Sequence, residues 1–289
     1  VVTTASVFTL YIAGTRYVVA TAVGDSANDV AQAIVDEITL NVDAPYTAAN
    51  AAGVITITAR FKGELGNDIQ VDTKYQTEVV PEGLTVVIAA GTAGSGTPDV
   101  STALSVIESL DFTDFVFPFT DAFNMQLVEQ ELDNRWLPLP PASSLGSGEK
   151  DAHLWQAFRG TETQLAAWHE NRNNQHVTTL ALEPSTTVGT VSYAGFMSPS
   201  WVVAAAYGAL GSYYFGISPN INFQNIEIPC LVGAPFPSRW KWNERNRLIL
   251  NYGFATHKYS IDGIGDDVII ERSVTNNTYT VSGAKTGAG

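Results

Sequence analysis

Histidine and acidic residues are the side chains of this sequence that could support acid–base or metal chemistry, but their spacing matches none of the usual motifs. The four histidines are His153, His169, His176 and His257. His169 and Glu170 begin like the zinc-binding motif H-E-x-x-H, but Asn173 occupies the place of the second histidine. Because a metal site needs three or four converging ligands, we expect no metal ion here.

Motifs for a nucleophile or a phosphate-binding loop are also absent. No serine has glycine at both the −2 and +2 positions, so the nucleophile elbow of the α/β hydrolases is missing. Gly91, Gly94 and Gly96 lead into Pro98 instead of opening a helix, which indicates a hinge. The single cysteine, Cys230, lies in the apolar run IPCLV and is expected to be a small core residue. The sequence therefore predicts no catalytic residue and no cofactor.

One basic and aromatic cluster stands out in an acidic chain. It is the segment RWKWNERNR, whose cations are Arg239, Lys241, Arg245 and Arg247. Nucleic acid is a poor partner for it, because the chain carries a formal net charge of −14. Two interpretations remain open. The cluster is either the start of a helix whose arginines pair locally, or a protein–protein contact, since Trp and Arg are enriched at interface hot spots.

An acidic segment of the same chain offers a partner for this cluster. Residues 108–133 contain no Lys or Arg. Opposite charges on different surfaces favour head-to-tail self-association, which generates rings and helices. We hypothesise a subunit interface in which the four cations of the basic cluster meet Asp121, Glu129, Glu131 and Asp133. On this hypothesis, reversing Arg245 and Arg247 to Glu blocks assembly.

Composition narrows the class of protein further. The chain has 289 residues, of which 45% are hydrophobic and only 15% charged. It is long enough to bury a core without disulfides, and its composition argues against disorder. No apolar run approaches the ~18 residues of a membrane span, so we expect no membrane insertion. The sequence begins at Val1 within a predicted strand, so we interpret it as a fragment.

The first part of the chain, residues 1–90, is predicted to be a β-rich domain with one helix. Strands are indicated at 6–12, 16–22, 54–60, 69–75 and 84–90 by alternation and β-branched residues. Ser26 and Asp29 have the spacing of a capping box, and Val30, Ile34 and Ile38 form one apolar stripe behind it. We expect this domain at the periphery, followed by a Gly-rich hinge over 91–98.

From residue 99 to 275 helices and strands alternate, which predicts an α/β core domain. Helices are expected over 99–110, 120–136, 198–215 and 243–252, with another opened by Thr161. Strands are expected over 115–119, 153–158, 176–182, 254–261 and 268–272. This order is typical of a mostly parallel sheet between two helical layers, a three-layer α/β fold. Residues 276–289 are predicted to be a loose tail, although Asn276-Asn277-Thr278 matches a glycosylation pattern.

Several segments together resemble the contractile phage tail sheath proteins. Residues 242–253 (WNERNRLILNYG) and 268–275 (VIIERSVT) are similar to the family's "ERN.LL..GI" helix and "V.IER.IT" strand. Residues 115–124, 159–161 and 173–178 are similar to it as well. Residues 8–14, 24–37 and 55–68 resemble the β-rich domain of Mu-like sheaths. The order and spacing of these segments carry the resemblance, which covers most of residues 1–275.

The resemblance implies a structural role. Sheath subunits of this family form hexameric rings stacked in a helical lattice around a tail tube, attached to a baseplate. Contraction drives the tube through the host envelope. The core domain would then carry the family's subtilisin-like label, which concerns fold and not catalysis. The implied location is the virion tail, with assembly in the host cytoplasm, and a phage, a prophage or a tail-like bacteriocin fits equally.

Two departures from the family pattern lead to a further expectation. The N-terminal arm and the C-terminal tube-facing domain of sheaths have no counterpart in these 289 residues. Because strand exchange through such arms links neighbouring subunits, we expect this chain alone to be monomeric or weakly associating. Two alternatives stay open. One is a hydrolase-like α/β enzyme; the other is a receptor- or carbohydrate-binding module that uses exposed Tyr11, Tyr17 and Tyr46.

Overall fold

The computed structural model describes residues 1–75, 78–107, 110–136, 150–170, 172–260 and 267–278. Contacts divide the chain into two compact units. The first comprises residues 1–96, 185–199 and 234–239, and the second comprises 97–184, 200–233 and 240–289. The first boundary falls within the predicted 91–98 hinge, and two later segments return to the first unit. The predicted domain boundaries stay predictions.

The first unit contains a three-stranded antiparallel sheet in the order β2-β1-β5. Its strands are β1 (Ser6–Ile12), β2 (Thr15–Thr21) and β5 (Val71–Asp72). Ala13 and Gly14 both have positive φ, which is the two-residue turn that suits the twist of a hairpin. A second hairpin, β3 (Tyr46–Ala51) and β4 (Val54–Ala59), turns in the same way at Ala52 and Gly53.

Helix α1 (Ala27–Leu40) supplies the core of this unit. The predicted capping box is confirmed, because the Asp29 N–H donates to Ser26 Oγ and the Ser26 N–H donates to the Asp29 carboxylate. The predicted apolar stripe is confirmed as well, since Val30, Ile34 and Ile38 are buried. They pack with residues of β1 in one hydrophobic cluster.

The expectation of exposed tyrosines in this unit is wrong. Tyr11, Tyr17 and Tyr46 are all buried. The hydroxyls of Tyr17 and Tyr46 lie 2.9 Å apart in a hydrogen bond, and Tyr46 also donates to the Ile12 carbonyl. Their aromatic rings face the core, so the observation that suggested a carbohydrate-binding module is removed.

Of two further strands predicted in this unit, one is shorter than expected and the other is absent. Of residues 69–75 only Val71 and Asp72 pair with β1, and residues 84–90 form no strand. The β-branched run at 84–90 is largely exposed, because strand preference has no effect without a neighbouring edge. The sequence reading missed β3, whose Ala and Asn residues are poor strand formers, and the short hairpin β9 (Thr186–Val188) with β10 (Val191–Tyr193).

The Gly-rich run ends in contact with a short 3₁₀ turn of the first unit, Glu64–Asp68. The Asn67 side chain donates to the Gly94 carbonyl and accepts from the Gly94 N–H, at 2.9 and 2.7 Å. The Glu64 N–H donates to the Gly96 carbonyl. These contacts attach the end of the run to this turn.

The second unit is built on a three-stranded parallel sheet in the order β6-β7-β8. These strands are β6 (Asp114–Val116), β7 (His153–Arg159) and β8 (Val177–Leu182). The fold is therefore mixed α/β with a parallel sheet, as predicted, and the other sheets are small and antiparallel. One of them joins β11 (Thr256–Tyr259) to β12 (Val268–Arg272).

Helices pack against this sheet on both faces. Leu154 and Val177 join a cluster with residues of α2 (Ser101–Ile107) and α3 (Ala122–Trp136). Trp155, the next residue of β7, points to the opposite face and contacts α5 (Ser200–Ile217). Helices α4 (Glu162–His169) and α6 (Trp242–Tyr252) share a cluster with residues of β8 and with Phe254.

The predicted loose tail is wrong over residues 276–278. Asn276 and Thr278 are completely buried. The Asn276 N–H donates to the Val177 carbonyl, and its side chain donates to Thr179 Oγ1. Asn276 is thus inaccessible as a glycosylation acceptor. Residues 279–289 of the predicted tail lie outside the described residues, as does most of the predicted 138–151 loop.

Cys230 is also placed differently from the prediction. Its side chain is exposed, and the residue has a positive φ of 63°. It follows Pro229 in a turn instead of joining the core, because its backbone reverses direction there. Among the described residues, no helix combines the length and apolar character needed to cross a bilayer.

Gly211 of α5 lies directly against Trp155, whereas Gly216 of the same helix faces open space. The two glycines therefore give a matched pair of substitutions. A Cβ at Gly211 would overlap the indole of Trp155, whereas a Cβ at Gly216 would meet nothing within 4 Å. We expect Gly211→Ala to lower the free energy of unfolding by about 1–3 kcal/mol, since overpacking outweighs the better helix propensity.

Gly216→Ala is the control, expected to be neutral or to stabilise by up to ~1 kcal/mol. Urea denaturation followed by tryptophan fluorescence measures both variants. Equal stability of the two variants would contradict the assigned packing.

Candidate functional site: the basic helix and its ion pairs

The basic cluster leads into helix α6 and forms its first half, and the ends of this helix follow from its sequence. The Lys241 N–H donates to the Glu244 carboxylate at 2.6 Å at the start of the helix. Gly253 ends the helix with a φ of 60°, a left-handed cap that glycine adopts readily. Leu248 and Ile249 are buried, so the arginines are held along the flanks of the helix.

Arg245 and Arg247 are both engaged within the chain. Arg245 makes two contacts with Glu271 on β12, at 2.7 and 3.2 Å, and donates to the Trp240 carbonyl. Arg247 makes two contacts of 2.6 Å with Glu162 at the start of α4. Hydrogen bonding from Arg247 holds the pKa of Glu162 below its usual value. The helix is thus tied to two other elements by bidentate pairs.

The two remaining cations of the cluster, Arg239 and Lys241, differ in their exposure to solvent. Arg239 is half-buried and its Nε donates to the Ala234 carbonyl at 2.9 Å. Lys241 is exposed at the N-terminus of α6. Of the four predicted interface cations, Lys241 is the one exposed as a whole residue, whereas the Arg247 side chain is 43% exposed but paired with Glu162.

The acidic segment does not form the open surface that the sequence suggested. Asp121 caps α3 by accepting the Asn124 N–H, and Asp133 accepts from the Asn174 side chain. Glu131 is buried against Arg135 at 2.8 Å, one helical turn later. The prediction of an exposed carboxylate is therefore wrong for Glu131.

Glu129, the remaining acidic residue of the set, contacts Arg172 at 3.1 Å. Burial raises its pKa although this arginine favours the charged form. The cations that pair with Glu129 and Glu131 are Arg172 and Arg135, and both lie outside residues 108–133. The structure does not bring the basic and acidic residues of the hypothesis together within one chain.

A buried group of charged side chains, which the sequence analysis did not predict, lies at the carboxyl ends of the parallel strands. Arg159 ends β7, Glu183 follows β8, and the Glu183 carboxylate lies 3.0 Å from His257. Burial opposes ionisation of Glu183, but His257 and two backbone N–H groups outweigh it and lower its pKa. Burial lowers the pKa of Arg159 to about 9.

The position of this buried charged group could have been inferred from the sequence. Side chains that follow neighbouring parallel strands meet at one edge of the sheet, which is where ligands of α/β proteins usually bind. The side chains of His257 and Glu183 are 1% and 2% exposed, so their contact is buried in the core of the second unit.

The other three histidines lie at a cleft or inside the second unit. His153 and His176 line a cleft of about 400 Å³ at the amino ends of the strands, and His169 contacts the Thr278 hydroxyl at 2.7 Å. His176 lies 3.6 Å from Asp151. Within the described part of the chain, no group of three His, Cys, Asp or Glu side chains could hold a metal ion.

Comparison with known proteins places this geometry in context. No family model matches the chain. Over 274 residues it is 30% identical to the Mu-like prophage FluMu tail sheath protein of Haemophilus influenzae, an alignment that covers 94% of this chain and 51% of that protein. The chain thus spans about half the length of this curated relative, and the resemblance to tail sheath proteins is confirmed.

Among solved structures, the chain is similar to the crystal structure of a sheath tail protein from Desulfitobacterium hafniense. The TM-score is 0.38 at 12% sequence identity, and the alignment covers 84% of this chain and 52% of the other.

The two arginine pairs of α6 are expected to contribute unequally to stability. The side chains of Arg245 and Glu271 are 18% and 22% exposed, against 43% and 32% for Arg247 and Glu162. We expect Arg245→Met to cost about 1–3 kcal/mol, because Glu271 is left without its main partner. Arg247→Met should cost less than about 1 kcal/mol, since water screens that pair.

Chemical denaturation of both variants, and of the double variant Arg245→Met/Glu271→Gln, tests this ranking. The double variant should recover part of the loss. Equal costs for the two single variants would contradict it.

His153 should make the fold less stable in mild acid. Burial lowers its pKa to about 4, from an ordinary value of 6.5. Between these values the unfolded chain binds a proton that the folded chain refuses, so stability falls as the pH falls from about 6.5 to 4. The loss is roughly 3 kcal/mol at the lower end.

The variant His153→Gln has no titrating group and keeps a side chain that can bond the Thr178 hydroxyl, which lies 2.9 Å from His153. Its stability should fall less than that of the parent chain over the same pH range. Parallel curves of unfolding free energy against pH would refute the assignment.

Proposed function

We propose that this chain is part of the subunit of a contractile phage tail sheath. The observation that carries the proposal is the 30% identity to a Mu-like prophage tail sheath protein over 94% of the chain. Within the proposal, subunits polymerise as stacked hexameric rings around the tail tube, and contraction of the lattice drives the tube through the host envelope. The subunit would act in the virion tail after assembly in the host cytoplasm.

The proposed role is structural and requires no catalytic residue, cofactor or metal. The partners are other copies of the subunit, the tube protein and the baseplate. We assign residues 1–90 to a peripheral β-rich domain, 91–98 to a hinge and 99–275 to the core domain that carries the family's subtilisin-like label. A lattice that rearranges needs rigid bodies and interfaces that can re-form. Ion pairs that stay within one subunit favour such rigidity.

Of the predicted interface residues, we retain Lys241 as a contact residue. Arg245 and Arg247 pair with Glu271 and Glu162 of their own chain, and the four acidic residues have partners or capping roles as well. Reversing Arg245 and Arg247 would therefore disturb the fold before it tested assembly.

Negative-stain electron microscopy of the full-length gene product that contains this chain tests the proposal. We expect hollow striated tubes of uniform diameter, alone or after addition of the cognate tube protein. The 289-residue chain, measured in parallel by light scattering, should remain monomeric or weakly associated. Globular particles at every salt concentration, with and without tube protein, would refute the proposal.

A further inference from the structure

One side of α6 combines exposed apolar residues with a positive charge at its N-terminal end. Trp242 is 68% exposed and Leu250, two turns further along the same face, is 41% exposed. Lys241 lies beside Trp242 and is exposed too. We call Lys241, Trp242 and Leu250 the α6 patch. An exposed tryptophan next to a cation has the composition of an interface hot spot.

The C-terminal end of α1 presents a surface of opposite charge. Leu40 and Val42 are 76% and 73% exposed, and they alternate with the exposed carboxylates of Glu37 and Asp43. Residues 17–59 contain no Lys or Arg, so no cation within this stretch offsets these carboxylates. We call Glu37, Leu40, Val42 and Asp43 the α1 patch.

We propose that the α6 patch of one copy docks on the α1 patch of a second copy, an inference that rests on the proposed sheath function. Trp242 would cover Leu40 and Val42, and Lys241 would meet the carboxylates of Glu37 and Asp43. The helix dipoles add to this complementarity. The positive N-terminus of α6 faces the negative C-terminus of α1, whose last turn has no basic residue.

When the α6 patch of one copy docks on the α1 patch of a second copy, the pair still has one free α1 patch and one free α6 patch. Such head-to-tail contacts continue from copy to copy and close into rings or extend as helices. Two patches of this size bury less than a stable dimer requires, so the contact alone is weak. It would act together with other contacts in a lattice. Within that lattice, α6 of each subunit would contact α1 of the next subunit.

Cross-linking of the 289-residue chain at millimolar concentration and low salt tests the contact directly. A zero-length carbodiimide reagent joins Lys241 to Glu37 or Asp43, and mixing ¹⁴N with ¹⁵N protein shows which links join different copies. We expect mixed-isotope peptides that contain these residues. Their absence, or sedimentation as a monomer at every concentration, would overturn the proposal.

Charge-swapped variants sharpen the test. Lys241→Glu, and separately the pair Glu37→Lys/Asp43→Lys, should each abolish self-association. A mixture of the two proteins should associate again in alternating order, because each patch of one protein meets a patch of opposite charge on the other. A single chain with all three changes should associate again. No recovery in either experiment would contradict the pairing of these two patches.

Trp242→Ser should weaken association about tenfold, as expected for a hot-spot aromatic. Tyr213→Ser removes another exposed aromatic, on α5, and serves as the matched control with no expected effect. If Lys241→Glu is introduced into the full-length product and tubes still form normally, the docking proposal fails while the sheath proposal stands. If the parent product forms no tubes with its tube protein, the sheath proposal itself fails.

Discussion

The contact of Trp155 with α5 is the packing constraint on which the second unit depends. Strand β7 is the central strand of the parallel sheet, so its side chains must be covered on both faces. Trp155 lies against the helix only because Gly208 and Gly211 carry no Cβ. Its indole also donates to Asp114, the first residue of β6, at 2.7 Å. One side chain thus joins the helix to two neighbouring strands.

Charge is scarce in this chain, and much of it is used inside one subunit. Arg135, Arg172, Arg245 and Arg247 each meet a carboxylate of their own chain. Among these pairs, Arg135 and Glu131 are buried, so removal of either one leaves an uncompensated charge, whereas water screens the more exposed pair of Arg247 and Glu162. Their effect is to hold helices in defined positions, which suits a subunit that moves as a rigid body. Under the proposed sheath function, contacts between subunits would then rely on exposed apolar residues and a few exposed charges.

The resemblance to tail sheath proteins and the physical description of the chain agree on a structural role. The side chains with unusual ionisation, Arg159, Glu183 and His153, are buried or line the amino ends of the strands. Perturbed pKa values often mark catalytic sites, but structural networks produce them as well. Here Glu183 contacts His257 in the core, and His153 contacts the Thr178 hydroxyl.

Local features of the fold could be predicted from the sequence alone. The caps at Ser26, Thr161 and Gly253, the apolar stripe of α1 and the alternation of helices with strands depend on residues a few positions apart. For the same reason the resemblance to a known family was visible, since it rests on the order of short segments. Hydrogen bonds within one turn and side-chain periodicity carry this information.

Only the tertiary structure decided which partner each residue has. Arg247 meets a carboxylate 85 positions away, and the tyrosines that seemed exposed turn into the core of the first unit. Residues 84–90 have strand-forming side chains but no neighbouring strand to pair with. Residues 46–51 are poor strand formers, yet they pair with β4 in a hairpin. These outcomes depend on which surfaces meet across long stretches of chain. Residue type and local spacing do not contain that information, because burial and pairing are properties of the assembled core.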